Sequence, residues 1–134
     1  RLDVALAVGA AGVHLGQDDL PVQVARRLAG PDFIIGATAH NVQEARTAEA
    51  EGASYLGCGA VFTTTTKLDT VPLGLAGLKA IRAAVELPIV GIAGITAANY
   101  GQVLAAGADG AAVVSGILGA ESIKAAVQGF LQVK

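Results

Sequence analysis

The sequence AGADGAAVVS at residues 106–115 is the clearest indication of the fold, because its pattern occurs three times in the chain. It is repeated as VGAAGVHLG at 8–16 and as EGASYLG at 51–57. In each copy a glycine follows a helical segment, and glycine ends a helix in the left-handed conformation without strain. The apolar run after it is too short for a helix and too apolar for a half-exposed strand. Each copy therefore predicts a buried parallel strand.

Helical patterns lie between the apolar runs, so strands and helices alternate along the chain. Asn41 is a candidate N-cap with Glu44 three residues later, as in a capping box, and Thr96 is a second candidate N-cap. Residues 1–8 resemble the last turns of a further helix. The predicted strands are 11–15, 33–38, 53–58, 88–92 and 110–115, and the predicted helices are 21–29, 41–51, 75–86, 96–106 and 121–132.

This alternation predicts an α/β fold with a parallel sheet and right-handed crossovers. An open doubly wound sheet and a closed barrel both satisfy it. The regular spacing of the units and the polar residues at each strand end favour the (β/α)8, or TIM, barrel. Residues 1–134 then form a single domain with the last five units of a barrel, and we expect the other three before Arg1. The lack of methionine also indicates a fragment.

The composition excludes several classes of protein. Apolar residues make up 53% of the chain and charged residues 15%, which is typical of an ordered, core-rich protein. The formal net charge is −2 without a basic patch, so we expect no nucleic-acid partner. The single cysteine, Cys58, excludes an internal disulfide and favours the reducing cytoplasm. The uncharged stretch 87–108 contains Pro88 and several polar residues, so we expect no membrane span.

The first two strand ends carry polar side chains, and this is where the fold places its chemistry. Asp18 and Asp19 follow the first strand, and their adjacent carboxylates suit either Mg²⁺ or the N-terminus of the next helix. Thr38 follows the second strand and offers a hydroxyl to a phosphate, while His40 is a candidate acid–base group. Polar residues that merely begin a helix are the alternative explanation for this pair.

The later strand ends favour a phosphorylated ligand. Four threonines and a lysine, 63–67, follow the third strand. In an ordered loop they offer several hydrogen-bond donors and a positive charge to an anion, whereas a flexible polar loop is the alternative. Gly94 after the fourth strand and Ser115 after the fifth occupy positions where this fold binds phosphate. Tight packing is the alternative role for the glycine.

Five motifs along the whole chain resemble the thiamine phosphate synthase family. They are GVHLGQDD at 12–19, IGATAH at 35–40, GAVFTTTTK at 59–67, GIAGI at 91–95 and AVVSGI at 112–117. The threonine-rich loop is the most specific of them. The resemblance implies a transferase that joins hydroxymethylpyrimidine pyrophosphate to thiazole phosphate, with Mg²⁺ as its cofactor. Its products would be thiamine phosphate and pyrophosphate.

The resemblance also implies roles for individual residues. Asp19 would bind Mg²⁺, with His14 and Gln17 near the same site. Thr38 and Lys67 would bind the pyrophosphate of the pyrimidine substrate. The residues that would bind the thiazole phosphate are Thr64, Thr65, Thr66, Gly94, Val114 and Ser115.

The chain departs from the family pattern in two ways. Four residues differ: Thr38 replaces a serine, Thr63 and Thr65 replace prolines, and Ala93 replaces a glycine. The chain also lacks the Gln-x-Arg-x-Lys and Asn-Asp motifs, which supply the rest of the family's pyrophosphate and metal site. We therefore expect these 134 residues to be inactive alone.

Two other functions stay open. A thiazole tautomerase of the same superfamily would use His40 as its acid–base group and would not need Mg²⁺. The loop 63–67 and the adjacent Asp18 and Asp19 disfavour the tautomerase. The second alternative is a non-catalytic barrel that binds a phosphorylated ligand. A homo-oligomer is compatible with all three functions.

Overall fold

The structure is a computed structural model that describes residues 1–63 and 72–133. Strands and helices alternate in the described residues as the sequence predicts, except that two helices follow the last strand. The strands are β1 (Gly12–Leu15), β2 (Ile34–Ala39), β3 (Tyr55–Cys58), β4 (Ile89–Ile92) and β5 (Gly110–Ala112). The helices are α1 (Leu2–Ala7), α2 (Val22–Ala29), α3 (Val42–Ala50), α4 (Gly74–Arg82), α5 (Tyr100–Ala105), α6 (Ser115–Leu118) and α7 (Ile123–Leu131).

The five strands form one parallel sheet in the order β1-β2-β3-β4-β5. The predicted α/β class with a parallel sheet is therefore confirmed. In the described part of the chain β1 and β5 are the two edges of the sheet, so these strands do not close a barrel among themselves. Because all strands run the same way, the loops after them meet at one edge, which we call the carboxyl edge.

The two faces of the sheet differ in burial, because successive side chains on a strand point to opposite sides. On one face Leu15, Ile35, Leu56 and Ile89 are each 2% exposed or less and form the core. The helices add alanines and branched residues to this core, among them Leu78 of α4. The opposite face of the strands carries polar side chains and glycines beside the exposed Ile34 and Ile92, and it is the face that leads to the candidate site.

Three predicted boundaries move for identifiable reasons. Helix α4 ends at Arg82 rather than at residue 86, and the Arg82 guanidinium donates to the carbonyls of Val85 and Leu87 just beyond it. Helix α5 begins at Tyr100, because a turn closed by the side chain of Asn99 precedes it. Thr96 is therefore not a side-chain cap. Strand β5 stops at residue 112, because the chain turns there into α6.

The opposite, amino edge of the sheet is held by hydrogen bonds of a partly buried arginine. The guanidinium of Arg26 donates to the carbonyl of Gly52 at 3.0 and 2.8 Å and to the hydroxyl of Ser54 at 3.1 Å. It also donates to the carbonyls of Gly30, Pro31 and Phe33. The Ser54 hydroxyl in turn accepts the N–H of Ile35 at 3.0 Å. One side chain of α2 thus links the loops before β2 and β3.

None of the helices in the described residues is both long and apolar enough to cross a membrane. The uncharged stretch 87–108 contains β4 and α5, at the places of the predicted strand 88–92 and the predicted helix 96–106.

Candidate functional site

The first two strands bring two of the predicted site residues into contact at the carboxyl edge. His14 lies on β1 and Thr38 on β2, and their side chains share the polar face of the sheet. The Nε2 atom of His14 lies 2.9 Å from Oγ1 of Thr38. The other ring nitrogen, Nδ1, lies 3.0 Å from the hydroxyl oxygen of Tyr55 on β3. Three adjacent strands therefore contribute one polar side chain each to a single hydrogen-bonded group.

Two glycines leave room for this group. Gly36 stands between His14 and Tyr55 in the sheet register, and a Cβ atom there would overlap both rings. A Cβ atom at Gly57 would lie 2.9 Å from Cε1 of the His14 ring. The contact thus depends on two residues without side chains. Sequence reasoning missed Tyr55, although its alternation with the buried Leu56 places it on the polar face.

The same face lines a cavity of about 480 Å³. Its polar side is formed by His14, Thr38 and Tyr55, and its apolar side is formed by residues of β4 and β5. Partial burial lowers the pKa of His14 below its ordinary value, and the nearby Asp19 carboxylate opposes this shift to a smaller extent. His14 is therefore a neutral imidazole at pH 7, with one N–H donor and one acceptor nitrogen.

Gln17 and Asp19 lie in the loop that follows β1, beside this group. The amide of Gln17 donates to the backbone carbonyl of Thr38, so the loop is tied to the end of β2. Oδ2 of Asp19 accepts the N–H of Gly16 at 2.7 Å. Helix α2 has no side-chain cap, so the capping role considered for Asp18 and Asp19 is not observed.

The fit of Asp19 to a magnesium ion follows from its donor atoms. One oxygen accepts a backbone N–H, and the exposed carboxylate has further lone pairs for a cation. Within residues 1–63 and 72–133 no group of three His, Cys, Asp or Glu side chains could hold a metal by itself. Magnesium in proteins is commonly bound by one or two carboxylates together with substrate phosphates. Asp19 fits as one such carboxylate.

His40 belongs to the start of helix α3. Its Nδ1 atom lies 2.9 Å from Oε2 of Glu44, and its backbone N–H donates to the same oxygen at 2.8 Å. Asn41 caps the helix by accepting the N–H of Glu44 at 2.9 Å, so the predicted N-cap is confirmed. His40, which precedes the cap of α3, is therefore held by a carboxylate of the first turn of that helix.

The loop after β4 packs tightly on the segment that follows β3. A Cβ atom at Gly94 would lie 2.7 Å from Cβ of Phe62 and 2.9 Å from the carbonyl oxygen of Thr63. Gly94 has a φ of 66°, and Ala93 before it has a φ of 77°, which is unfavourable for a residue with a side chain. The side chain of Asn99 fixes this loop by donating to the Gly94 carbonyl at 3.0 Å.

The loop after β5 lies beside the same turn. A Cβ atom at Gly116 would be 3.1 Å from the carbonyl oxygen of Ile95, which shows how closely the two loops approach. Ser115 is the first residue of the short helix α6, and both Val114 and Ser115 are exposed. The expected phosphate-binding loops are therefore neighbours, with their exposed residues at one edge.

Four of the candidate residues, Thr64, Thr65, Thr66 and Lys67, lie outside the described residues. The segment before them ends at the exposed Thr63, whose carbonyl lies against Gly94. Cys58 takes no part in this edge, because it is fully buried and its burial raises the pKa of its thiol to about 12.

Comparison with known proteins gives concordant results. A family model described as thiamine monophosphate synthase matches residues 1–117. Thiamine-phosphate synthase of Moorella thermoacetica is 55% identical over 129 residues, which are 96% of this chain and 61% of that protein. The enzyme of the same name from Pyrococcus horikoshii is 49% identical over 133 residues, or 99% of this chain and 64% of that protein. The chain thus spans about three fifths of the length of these curated relatives.

Solved structures agree with this result. Thiamine phosphate pyrophosphorylase from Pyrococcus furiosus superposes with a TM-score of 0.90 at 45% identity, covering 99% of this chain and 63% of that one. A structure of 3-hexulose-6-phosphate synthase, at a TM-score of 0.72 and 20% identity, shares the fold alone. The family model and these relatives confirm the resemblance found in the five motifs. The chain belongs to the thiamine monophosphate synthase family.

Proposed function

We propose that the protein containing this chain joins hydroxymethylpyrimidine pyrophosphate to thiazole phosphate, forming thiamine phosphate and pyrophosphate. The observation that carries the proposal is the 55% identity to the Moorella thermoacetica synthase across 96% of this chain. The geometry supports it, because polar groups of β1 and β2 and the loops after β4 and β5 lie at one edge of the sheet.

The proposed reaction forms one bond and breaks one bond at the same carbon atom. The thiazole nitrogen forms a bond to the methylene carbon of the pyrimidine, and the bond from that carbon to the pyrophosphate oxygen breaks. The pyrophosphate leaves with the bonding pair, and the nitrogen becomes the cationic centre of the product. Because no proton is transferred, the protein has to neutralise the leaving group and align the two substrates.

The residues of this chain divide into two groups in the proposal. Thr38 donates a hydrogen bond to the pyrophosphate, with Lys67 as a positive charge beside it and Gln17 and His14 as neighbours. The thiazole phosphate is bound by backbone and hydroxyl groups of Thr64, Thr65, Thr66, Gly94, Val114 and Ser115. The closeness of Gly94 to Thr63 and of Gly116 to Ile95 supports one common binding site for this second group.

Asp19 is the residue of this chain that would hold Mg²⁺ in the proposed site. When bound, the ion supplies neutralisation of the negative charge that develops on the pyrophosphate. The backbone N–H of Gly16 holds one carboxylate oxygen of Asp19, and this hydrogen bond fixes the direction of the carboxylate. The remaining ligands would come from substrate phosphates and from the Asn-Asp motif, which this chain lacks.

We further propose that the sheet is part of a (β/α)8 barrel. Five strand–helix units out of eight agree with the 63% of the Pyrococcus furiosus chain that this chain covers. The Gln-x-Arg-x-Lys and Asn-Asp motifs then belong to other units, and the 134 residues alone are inactive. Assembly into a homo-oligomer and a location in the cytoplasm stay predictions.

The two alternative functions are not favoured. The relatives described above are named as synthases or pyrophosphorylases, not as tautomerases. A non-catalytic barrel has no named relative among these proteins.

Genetic complementation tests the proposal. A bacterial strain without its own thiamine-phosphate synthase requires thiamine, and the intact protein should restore growth without it. The same strain should stay dependent on thiamine when it carries an empty vector. Soluble intact protein that accumulates without restoring growth would contradict the proposed function.

A further inference from the structure

The group formed by Tyr55, His14 and Thr38 is directional. Each of the two ring nitrogens of His14 has one hydroxyl partner, Tyr55 at 3.0 Å and Thr38 at 2.9 Å. A neutral imidazole donates through one nitrogen and accepts through the other. The hydroxyl that donates to His14 therefore decides what the other hydroxyl is able to do. None of the five family motifs contains Tyr55.

The surrounding backbone shows that this arrangement is built into the fold. The two rings have centroids 5.5 Å apart and are inclined by 40°, so they meet at their edges and not face to face. Gly36 lies between them in the register, and a side chain there would displace one of them. Gly57 removes a second obstacle on the other side of the His14 ring.

Tyr55 is the stronger donor of the two hydroxyls, because a phenol is far more acidic than an aliphatic alcohol. The Tyr55 hydroxyl therefore donates a hydrogen bond to Nδ1 of His14, and the ring carries its proton on Nε2. The Nε2–H group then donates to Oγ1 of Thr38. With its oxygen accepting from His14, the Thr38 hydroxyl has its proton available for a ligand in the adjoining cavity of about 480 Å³.

We propose that Tyr55 is a positioning residue for the pyrophosphate site: its hydroxyl holds His14 as the Nε2–H tautomer and so makes Thr38 a hydrogen-bond donor to the ligand. The opposite tautomer would draw the Thr38 proton to Nε2 and present a lone pair to an anion. The inference rests on the proposed function only in naming pyrophosphate as the ligand. It deepens that function by adding a residue that acts on Thr38 through His14.

Nitrogen-15 NMR of the His14 ring tests the tautomer directly in the intact protein. The expected spectrum has the proton on Nε2 and an unprotonated Nδ1. In Tyr55→Phe the proton should move wholly or partly to Nδ1, because Nδ1 has lost its donor. Tyr100→Phe is the matched control, since Tyr100 packs on Phe130 and lies away from the cavity. A wild-type ring protonated at Nδ1 would overturn the inference.

Binding of inorganic pyrophosphate in the presence of Mg²⁺ tests the consequence. Tyr55→Phe should weaken binding about tenfold, the scale of one hydrogen bond to a charged group, and Tyr100→Phe should not. Thr38→Ala should weaken it similarly, and adding Tyr55→Phe to Thr38→Ala should change nothing more. We call the chain of hydrogen bonds from Tyr55 through His14 to Thr38 the relay. Unchanged binding in Tyr55→Phe, or additive losses in the double variant, would overturn the relay.

These readouts separate the relay from the proposed function. If the intact protein forms no thiamine phosphate but shows the Nε2–H tautomer and the expected loss of binding, the function fails and the relay stands. If it forms thiamine phosphate with the opposite tautomer, only the relay fails. Should Tyr55→Phe prove unstable, the wild-type spectrum by itself decides the tautomer.

Discussion

Oγ1 of Thr38 lies 2.9 Å from Nε2 of His14, which joins the ends of β1 and β2 through side chains as well as through the sheet. The two residues are 24 positions apart in the sequence, and the parallel register between the strands brings them together. This contact places a threonine hydroxyl at the carboxyl edge in a defined orientation.

Replacement of the Thr38 hydroxyl should lower activity, whereas loss of its methyl group should not. Thr38→Val keeps the shape of the side chain but removes the hydrogen bond to the pyrophosphate, and kcat/KM should fall about tenfold or more. Thr38→Ser is the matched control and should stay near the wild type. Steady-state kinetics with the pyrimidine substrate varied would measure both. Equal rates for the valine and serine variants would remove Thr38 from the site.

Loss of the Lys67 charge should slow the reaction. Lys67→Ala should reduce the rate by at least about tenfold, the usual scale for one lost transition-state contact. Lys79→Ala is the control, because Lys79 is exposed in the last turn of α4 and is not one of the candidate site residues. An initial-rate assay of thiamine phosphate formation would compare them. A Lys67→Ala enzyme as fast as Lys79→Ala would show that Lys67 has no role in the reaction.

The Arg26 contact should support stability and not activity. Arg26→Lys cannot reproduce the fork that reaches Gly52 and Ser54, so the free energy of unfolding should fall by about 2 kcal/mol or more. Arg27 is exposed on the same helix, so Arg27→Lys should change the free energy of unfolding by less than about 0.5 kcal/mol. Urea denaturation would measure both. A stable Arg26→Lys variant would mean that this contact at the amino edge is dispensable.

His14 should make stability depend on pH. Burial lowers its pKa in the folded protein below the ordinary value of 6.5, so the unfolded chain binds more protons in the interval just below 6.5. Stability therefore rises with pH through this interval and falls on acidification. His14→Asn should show a smaller fall when urea denaturation is repeated on either side of it. An unchanged pH dependence in that variant would contradict the shift.

The order of elements could be predicted from the sequence, because local signals determine it. The helix-ending glycines Gly9, Gly52 and Gly107 all have positive φ, as their repeated pattern predicts. Asn41 caps α3 as predicted, since a cap depends on residues three positions apart. The end of β5 was predicted too late, because Val113 and Val114 are apolar whether they continue a strand or turn into a helix.

The site could be predicted only in part. Strand-end residues such as Thr38 and Asp19 could be predicted from the fold class and the family motifs, because this prediction does not require the alignment of the strands. The contact of Tyr55 with His14 depends on how β1, β2 and β3 are aligned, and a shift of one residue would turn Tyr55 to the other face. The strained φ of Ala93 likewise becomes visible only in the folded loop.

Phosphorus-31 NMR of one reaction tests the proposed synthase activity. The intact protein would be mixed with hydroxymethylpyrimidine pyrophosphate, thiazole phosphate and Mg²⁺, and all phosphorus signals followed in time. We expect free pyrophosphate and thiamine phosphate to appear in equal amounts as both substrates disappear. Thiazole phosphate that changes without any release of pyrophosphate, or no change in either substrate, would contradict it.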